Sequence, residues 1–301
     1  MKILVICGAT ASGKTKLAVD CALKLNTEIV SADSQLIYKG LNVGTAKPSA
    51  EEMCGVRHHL IDVVEPTEGF CVSDYAAQAE PILDNLLNSG KIPVVCGGTG
   101  FYINSLLFDL SYGNVAADSL IREKYNKILL EKGKDYIYSI LKNTDPESAE
   151  KISVSDTKRV IRALEIYEVS GIKKSEIRDD MEPKREYFAV ALDYPREELY
   201  KRINKRVDEM FESGLLEEIE NLLRQGINEN YQCMQAIGYK EVLECLKNGS
   251  NQSTMRDMIK QNTRRYAKRQ ITFFKKLKGL IWLKPYEATA EKVLELMNEQ
   301  S

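Results

Sequence analysis

The residues best suited to chemistry stand near the start of the chain. Gly8, Ala9, Thr10, Ala11, Ser12, Gly13, Lys14 and Thr15 fit the pattern G-x-x-x-x-G-K-[ST]. In that pattern, backbone N–H groups at a helix N-terminus form a concave anion site. The lysine adds a point charge, and the last hydroxyl can ligate Mg2+. The loop therefore specifies a diphosphate or polyphosphate, without saying whether a nucleotide carries it. Asp33, in "SADSQLIYKG", ends the second apolar run of the chain. Beside a phosphate site such a carboxylate can be a metal ligand or a general base; it can also cap a helix or sit solvated in a loop. Asp62, closing "HHLID", offers the same choices. At 97–100, "GGTG" joins glycines that let backbone approach a ligand to the hydroxyl of Thr99, and a tight strand-to-helix turn would use the same residues.

Two further groups carry positive charge. Arg202 and Arg206 stand four apart on one face of a helical pattern, with Leu199, Ile203, Val207 and Met210 on another. Between 255 and 278, Arg256, Lys260, Arg264 and Lys268 recur every four residues, with Arg265, Arg269 and Lys275 beside them. Met255, Ile259, Tyr266, Phe273 and Leu277 make the opposite, apolar stripe. A helix packed by that stripe is expected to turn a dense basic ridge to solvent. In a chain of net charge −2 the ridge reads as a contact for a nucleic-acid backbone, or else as an ordinary solvated face.

These residues need elements to hold them. Apolar runs predict strands at Ile3–Cys7, Glu28–Ala32, Leu60–Val64, Ile92–Cys96, Tyr187–Asp193 and 280–283, and Thr15–Leu25 predicts an amphipathic helix. Strand–helix alternation argues for an α/β fold, a P-loop-type parallel sheet flanked by helices. In such sheets ligands gather at the carboxyl ends of strands, where the phosphate loop, Asp33 and "GGTG" all fall. From 111 to 185 the texture turns charged and helical, which predicts a helical insertion domain inside a discontinuous core of 1–110 and 186–301. Beyond it, helices are expected to about Glu212 and about Gln225, the latter capped by Gly226, then the basic helix and a last helix from about Ala288.

Composition narrows the class. The chain has 301 residues, 44% hydrophobic and 29% charged, as soluble globular proteins do. Its seven cysteines show no C-x-x-C spacing and read as reduced thiols of a cytoplasmic protein. His58 and His59, adjacent on a strand, would face opposite ways and make poor joint metal ligands. No signal peptide and no 18-residue apolar stretch is present, so no membrane association is expected.

Together, "GATASGKT", "SADSQLIYKGLNVGTAKPS", "HHLID", "GGTGFYINSL", "DTKRVIRALEIYEVSG", "RINKRVDEMFESGLL", "QAIGYKE" and "RYAKRQITFF" resemble the bacterial tRNA dimethylallyltransferase (tRNA isopentenyltransferase) family. They run from residue 8 to 274 in the family's order, nearly the whole chain. Departures are Ala9 for a usual Pro, "SVSD" at 153–156 for His-Pro-Asn-Asp, and "TFFK" at 272–275 for a Thr-Trp-Phe-Arg-like ending.

The resemblance implies transfer of a dimethylallyl group from dimethylallyl diphosphate to N6 of adenosine 37, just 3′ of the anticodon. It implies Mg2+ as cofactor, held through Thr15, with Gly8 to Thr15 binding the diphosphate. Asp33 then looks like the general base, with Thr99 and Arg206 as further catalytic contacts. The tRNA anticodon stem-loop would be held by Asp33, Ser34, Gln35, Leu36 and Thr99. Further contacts would be Lys158, Arg159, Val160, Ile161 and Arg162 of the insertion, and Gln235, Gly238, Tyr239, Lys240, Arg265, Lys268 and Arg269. A monomer is the expected state. The rival readings are a P-loop small-molecule kinase, a prenyltransferase acting on free adenine nucleotide, and a nucleic-acid-binding module with an inactive loop. "DDMEP" at 179–183 does not complete the D-D-x-x-D of ordinary prenyl synthases.

Overall fold

The structure, a computed structural model, describes residues 2–110, 118–177 and 182–300. The first residues of the expected insertion, 111–117, and the stretch 178–181 on which the D-D-x-x-D comparison turns lie outside the described residues. Two compact units divide the chain: Met1–Leu107 with Pro183–Ser301, and Phe108–Glu182.

The larger unit is built on six strands: β1 (Ile3–Cys7), β2 (Ile29–Ser31), β3 (His58–His59), β4 (Val94–Gly97), β5 (Tyr187–Leu192) and β6 (Ile281–Leu283). Their order is β3-β2-β4-β1-β5-β6, and every pairing is parallel. A parallel sheet is covered on both faces, so its central strands are apolar throughout; all of β1, β2 and β4 is buried. The helices, in chain order, begin with α1 (Lys14–Leu25), α2 (Ala50–Met53), α3 (Val72–Asn88) and α4 (Gly100–Leu107). The smaller unit holds α5 (Ser119–Thr144), α6 (Pro146–Lys151) and α7 (Thr157–Ser170). The larger unit resumes with α8 (Arg196–Glu212), α9 (Leu215–Arg224), α10 (Tyr239–Lys247), α11 (Gln252–Phe274) and α12 (Ala290–Glu299).

Leu17, Ala18 and Cys21 of α1 pack with Leu4 and Ile6 of β1, Val94 of β4 and Val293 of α12 in one apolar cluster. Each fully buried Leu, Ile or Val there contributes about 1.5–3 kcal/mol relative to exposure. This layer pins the first turn of α1, and so the phosphate loop, against the ends of β1 and β4.

One expected strand is absent. Leu60–Val64 does not extend β3, because Leu60 and Asp62 take left-handed backbone, φ 61° and 55°. The chain turns instead onto residues 36–38, with Asp62 N–H donating to Leu36 O and Val64 N–H to Ile37 O. Asp62 pairs with Lys47, which also donates to Tyr38 O, so this acid braces a loop.

In the smaller unit, Val160 and Ile161 join Tyr125, Ile137, Leu141 and Leu164 in a separate core. Asp156, from the departing "SVSD" stretch, caps α7 by accepting from Arg159 N–H. Glu165 is wholly buried and accepts hydrogen bonds from Arg122, Arg162 and Asp118 N–H. Burial alone would raise its pKa, but these donors together hold its carboxyl below the ordinary value. Among the described residues no helix is long and apolar enough to cross a membrane.

Candidate active site

The phosphate loop takes its shape from three unusual backbones. Gly8, Ala11 and Gly13 have φ of 125°, 59° and 88°. Gly13 is the N-cap of α1 and brings no side chain to cap the helix. The first N–H groups of α1 are therefore available to an anion, with the positive end of the helix behind them.

Side chains from distant helices brace the loop. Arg202 of α8 donates to Ala11 O at 2.8 Å. Arg206, one turn on, donates to the Thr10 hydroxyl at 3.3 Å and to Thr45 O at 3.1 Å. Gln270 of α11 accepts from Thr10 N–H and donates to Gly98 O, both at 2.9 Å, tying the loop to the end of β4. Lys14 reaches back to Ala9 O at 3.4 Å. Burial pushes the Lys14 ammonium below its ordinary value, and the Asp33 carboxylate partly opposes that. Burial lowers Arg206 too, again against Asp33. Two desolvated cations beside one carboxylate make a strong site for a multiply charged anion.

Asp33 follows β2, and its Oδ1 accepts from Gln35 N–H at 3.0 Å. The Thr99 hydroxyl accepts from Ser34 N–H at 2.9 Å and contacts Ser34 Oγ at 3.3 Å. The glycines of "GGTG" are explained by protein neighbours. A Cβ on Gly97 would lie 2.0 Å from Ala32 O, on Gly98 2.3 Å from Gln270, and on Gly100 2.2 Å from Phe273. They allow close approach of β2 and α11, which brings Asp33, Thr99 and Gln270 together. Phe273, from the divergent "TFFK", fills the space over Gly100.

Two cavities meet here. One of about 60 Å3 is lined by Lys14, Thr15, Leu36 and the end of β2; another of about 310 Å3 is lined by Ser34, Gln35, Gln235, Lys240, Tyr266 and Arg269. Thr10, Asp33, Thr45 and Arg206 line both. Burial pushes the Tyr266 hydroxyl up, and the Asp33 charge adds to that.

Several expected contact residues also make contacts inside the protein. Tyr239 is fully buried and donates to Glu218 at 2.7 Å. Glu218 also accepts from Asn42, Val43 and Gly44 N–H at 2.7, 2.8 and 3.0 Å, so it anchors the loop that presents Thr45 to Arg206. Gly44 must be glycine, since its Cβ would lie 2.6 Å from the Tyr239 ring. Gly238, at φ 105°, starts α10 and gives its N–H to Glu241. On α7, Lys158 and Arg159 are exposed, and Arg159 pairs with Asp156. Val160 and Ile161 face the core of their unit, and Arg162 pairs with Glu165, so these three side chains serve packing and charge balance.

The basic ridge of α11 also needs correction. Arg256 and Lys260 both pair with Asp208 of α8, at 3.2 and 2.7 Å, and Arg264 donates to Asn204 at 2.6 Å. Three of the four residues in the four-residue repeat thus face α8. The exposed cations are Arg265, Lys268, Arg269 and Lys275. Gln270, Thr45 and Glu218 are the contributors that the sequence did not single out, and Tyr266 figured there only as a member of the apolar stripe. Gln270 left a signal: it is polar, yet lies four residues past Tyr266 on the otherwise apolar stripe.

Comparison with known proteins agrees with this architecture. A family model described as IPP transferase matches residues 36–277. The tRNA dimethylallyltransferase of Acetivibrio thermocellus is 43% identical over 298 residues, 97% of this chain and 95% of that protein. That of Caldanaerobacter subterraneus is 43% identical over 99% of this chain and 98% of its own. Among solved structures, the full-length tRNA isopentenylpyrophosphate transferase of Bacillus halodurans aligns with TM-score 0.73 at 37% identity, covering 99% of this chain and 95% of that one. A eukaryotic dimethylallyltransferase acting on tRNA aligns with TM-score 0.78 at 31% identity, covering 99% and 77%. Sequence and backbone agree from end to end, and the chain belongs to the tRNA dimethylallyltransferase (IPP transferase) family.

Proposed function

We infer that the protein transfers a dimethylallyl group from dimethylallyl diphosphate to N6 of adenosine 37 in tRNA, releasing diphosphate. The observation that carries this reading is the meeting of the phosphate cradle and Asp33 on two joined cavities, in a chain of this family. The C–O bond of the donor breaks, and its electrons leave with the diphosphate. The loop N–H groups, Lys14 and Arg206 stabilise the charge that grows there. N6 of adenosine forms the new C–N bond. Its lone pair is delocalised into the purine ring, so it gains by losing a proton as it attacks, and Asp33 takes that proton. The Thr99 hydroxyl fixes the Ser34 backbone beside Asp33 and so orients the base.

Among the described residues no three His, Cys, Asp or Glu side chains converge as a metal cage. Mg2+ binds through few protein ligands and keeps water and phosphate oxygens. The Thr15 hydroxyl would hold it, and the ion would offset charge on the departing diphosphate.

The target adenosine must leave its stack to enter the site. The larger cavity, about 310 Å3, is at the small end of pockets that enclose small ligands. Ser34, Gln35, Gln235 and Lys240 line it and would contact the flipped nucleotide or its neighbours. Arg265, Lys268 and Arg269, and Lys158 and Arg159 of the helical unit, are exposed and would make phosphate contacts. Seven free cysteines suit a reducing, cytoplasmic setting. The test is direct. Purified protein with dimethylallyl diphosphate, Mg2+ and unmodified tRNA yields isopentenyladenosine by nucleoside mass spectrometry. Steady ATP turnover with no prenylated base overturns the reading.

A further inference from the structure

The smaller cavity lies behind the phosphate loop, and Thr15, Ser31, Asp33 and His58 are among its lining residues. Two buried polar atoms of that lining have no hydrogen-bond partner among the described residues: Ser31 Oγ and His58 Nε2. Ser31 is 3% exposed and ends β2, two residues before Asp33. His58 opens β3, the neighbouring strand, paired with Ile29. Its other ring nitrogen, Nδ1, lies 2.9 Å from Val56 O. A carbonyl only accepts, so Nδ1 carries the proton and Nε2 presents a lone pair. His59, by contrast, is tied to Glu28 at 2.6 Å and does not line the cavity.

Buried polar atoms left unpaired in a folded protein ask for an explanation, and a bound water or ion is a common one. The cavity measures about 60 Å3. A water needs about 10–15 Å3 of such space, so the cavity has room for more than one. An acceptor and a hydroxyl beside Thr15 match the outer sphere of a hard cation, whose bound waters are strong donors. Burial pushes the thiol of Cys96, in the same lining, up to about 11, and a soft sulfur is a poor ligand for a hard cation.

We propose that His58 and Ser31 hold the water ligands of the divalent cation at Thr15, with His58 Nε2 accepting a hydrogen bond from one cation-bound water and Ser31 Oγ orienting another. Both are positioning residues: they touch water, and through it the cation. The proposal rests on the diphosphate reading of the loop. It gives the first histidine of "HHLID" a role at the site, while the second is hydrogen-bonded to Glu28.

The experiment uses the full chain, saturating inorganic pyrophosphate as the anion, and Mn2+ as the cation, with free Mn2+ read by electron paramagnetic resonance. His58→Phe is expected to weaken Mn2+ binding by about 10-fold or more, as losing an outer-sphere partner does. His58→Gln, which can place an amide oxygen near the Nε2 position, is expected to stay within about 3-fold of wild type, and Ser31→Ala to lose about 2- to 10-fold. Metal-free pyrophosphate binding is expected to be unchanged in all three, which a merely structural defect would not allow. Wild-type Mn2+ affinity in His58→Phe overturns the proposal, as does nitrogen coupling showing direct His58 ligation. If His58→Phe fails to fold, Ser31→Ala decides, and wild-type Mn2+ affinity there overturns it. Prenylation of tRNA by the wild-type protein is measured separately; its failure beside the expected Mn2+ pattern would sink the reaction assignment and leave this site standing.

Discussion

Around the phosphate loop, the arginines and Lys14 are tied to named protein atoms. Arg202 holds Ala11 O, Arg206 holds Thr10 and Thr45, and Lys14 reaches Ala9 O. On the outer face of α11, Lys268 and Arg269 stand in solvent, and Arg269 lies over the Tyr266 ring. Both regions are positive and both suit phosphate, yet they can do different work. Lys14 and Arg206 are held and desolvated, and cations so fixed need no reorganisation when charge develops, which suits them to a transition state; Arg202 is itself exposed and braces the loop. Exposed cations are screened within about 8–10 Å at ordinary salt, and act by releasing counterions from a nucleic acid. A third set, Arg256, Lys260 and Arg264, is tied to α8, the first two sharing the single carboxylate of Asp208 and the third bonded to Asn204.

The contrast is sharpest at Asp33, on the shared lining of the two cavities. Asp33→Ala is expected to lower single-turnover prenylation by about 10²- to 10⁴-fold with tRNA binding retained. A near-normal rate would take the base role from Asp33. Next is Arg206→Ala, expected to cost about 10²- to 10³-fold in kcat, since it removes a held donor from the cradle. A loss confined to tRNA affinity would erase the distinction between cradle and rim. The rim itself is tested by neutralising Lys268 and Arg269 together. For every phosphate no longer neutralised, the slope of log affinity against log salt should fall by about 0.7–0.9, with kcat at saturating tRNA preserved. An unchanged slope would make this face merely solvated. The smallest effect is expected for Lys260→Ala: about 1 kcal/mol or less of stability by thermal melt, because its partner Asp208 is partly exposed, and no change in salt slope. A clear drop in salt slope there would show that the inner stripe also meets RNA.

Much of the larger unit is legible in the sequence because its signals are local. A buried apolar run, a glycine loop and an amphipathic helix follow each other within residues 3–25, and β1 and α1 form where that order predicts. The ends of β1, β2 and β4 then bring Gly8, Asp33 and Thr99 to one edge of the sheet. Two expectations fail for a shared reason. Leu60–Val64 is apolar enough for a strand, but its partner is the turn at 36–38, which bends it into left-handed backbone. The periodicity of the basic ridge points it to solvent, yet Asp208 and Asn204, some fifty to sixty residues earlier, claim one side of it.

Short-range pattern and residue type suffice for the α/β class, the phosphate loop and the family. Which charges are held and which stand in solvent depends on contacts between distant parts of the chain. Thr10 meets Gln270 across 260 positions, Arg206 meets Thr45 across 161, and Glu218 gathers Asn42, Val43 and Gly44 from about 175 away. Partners that far apart leave no periodicity to read: they meet because parallel strands and crossing helices put their ends side by side.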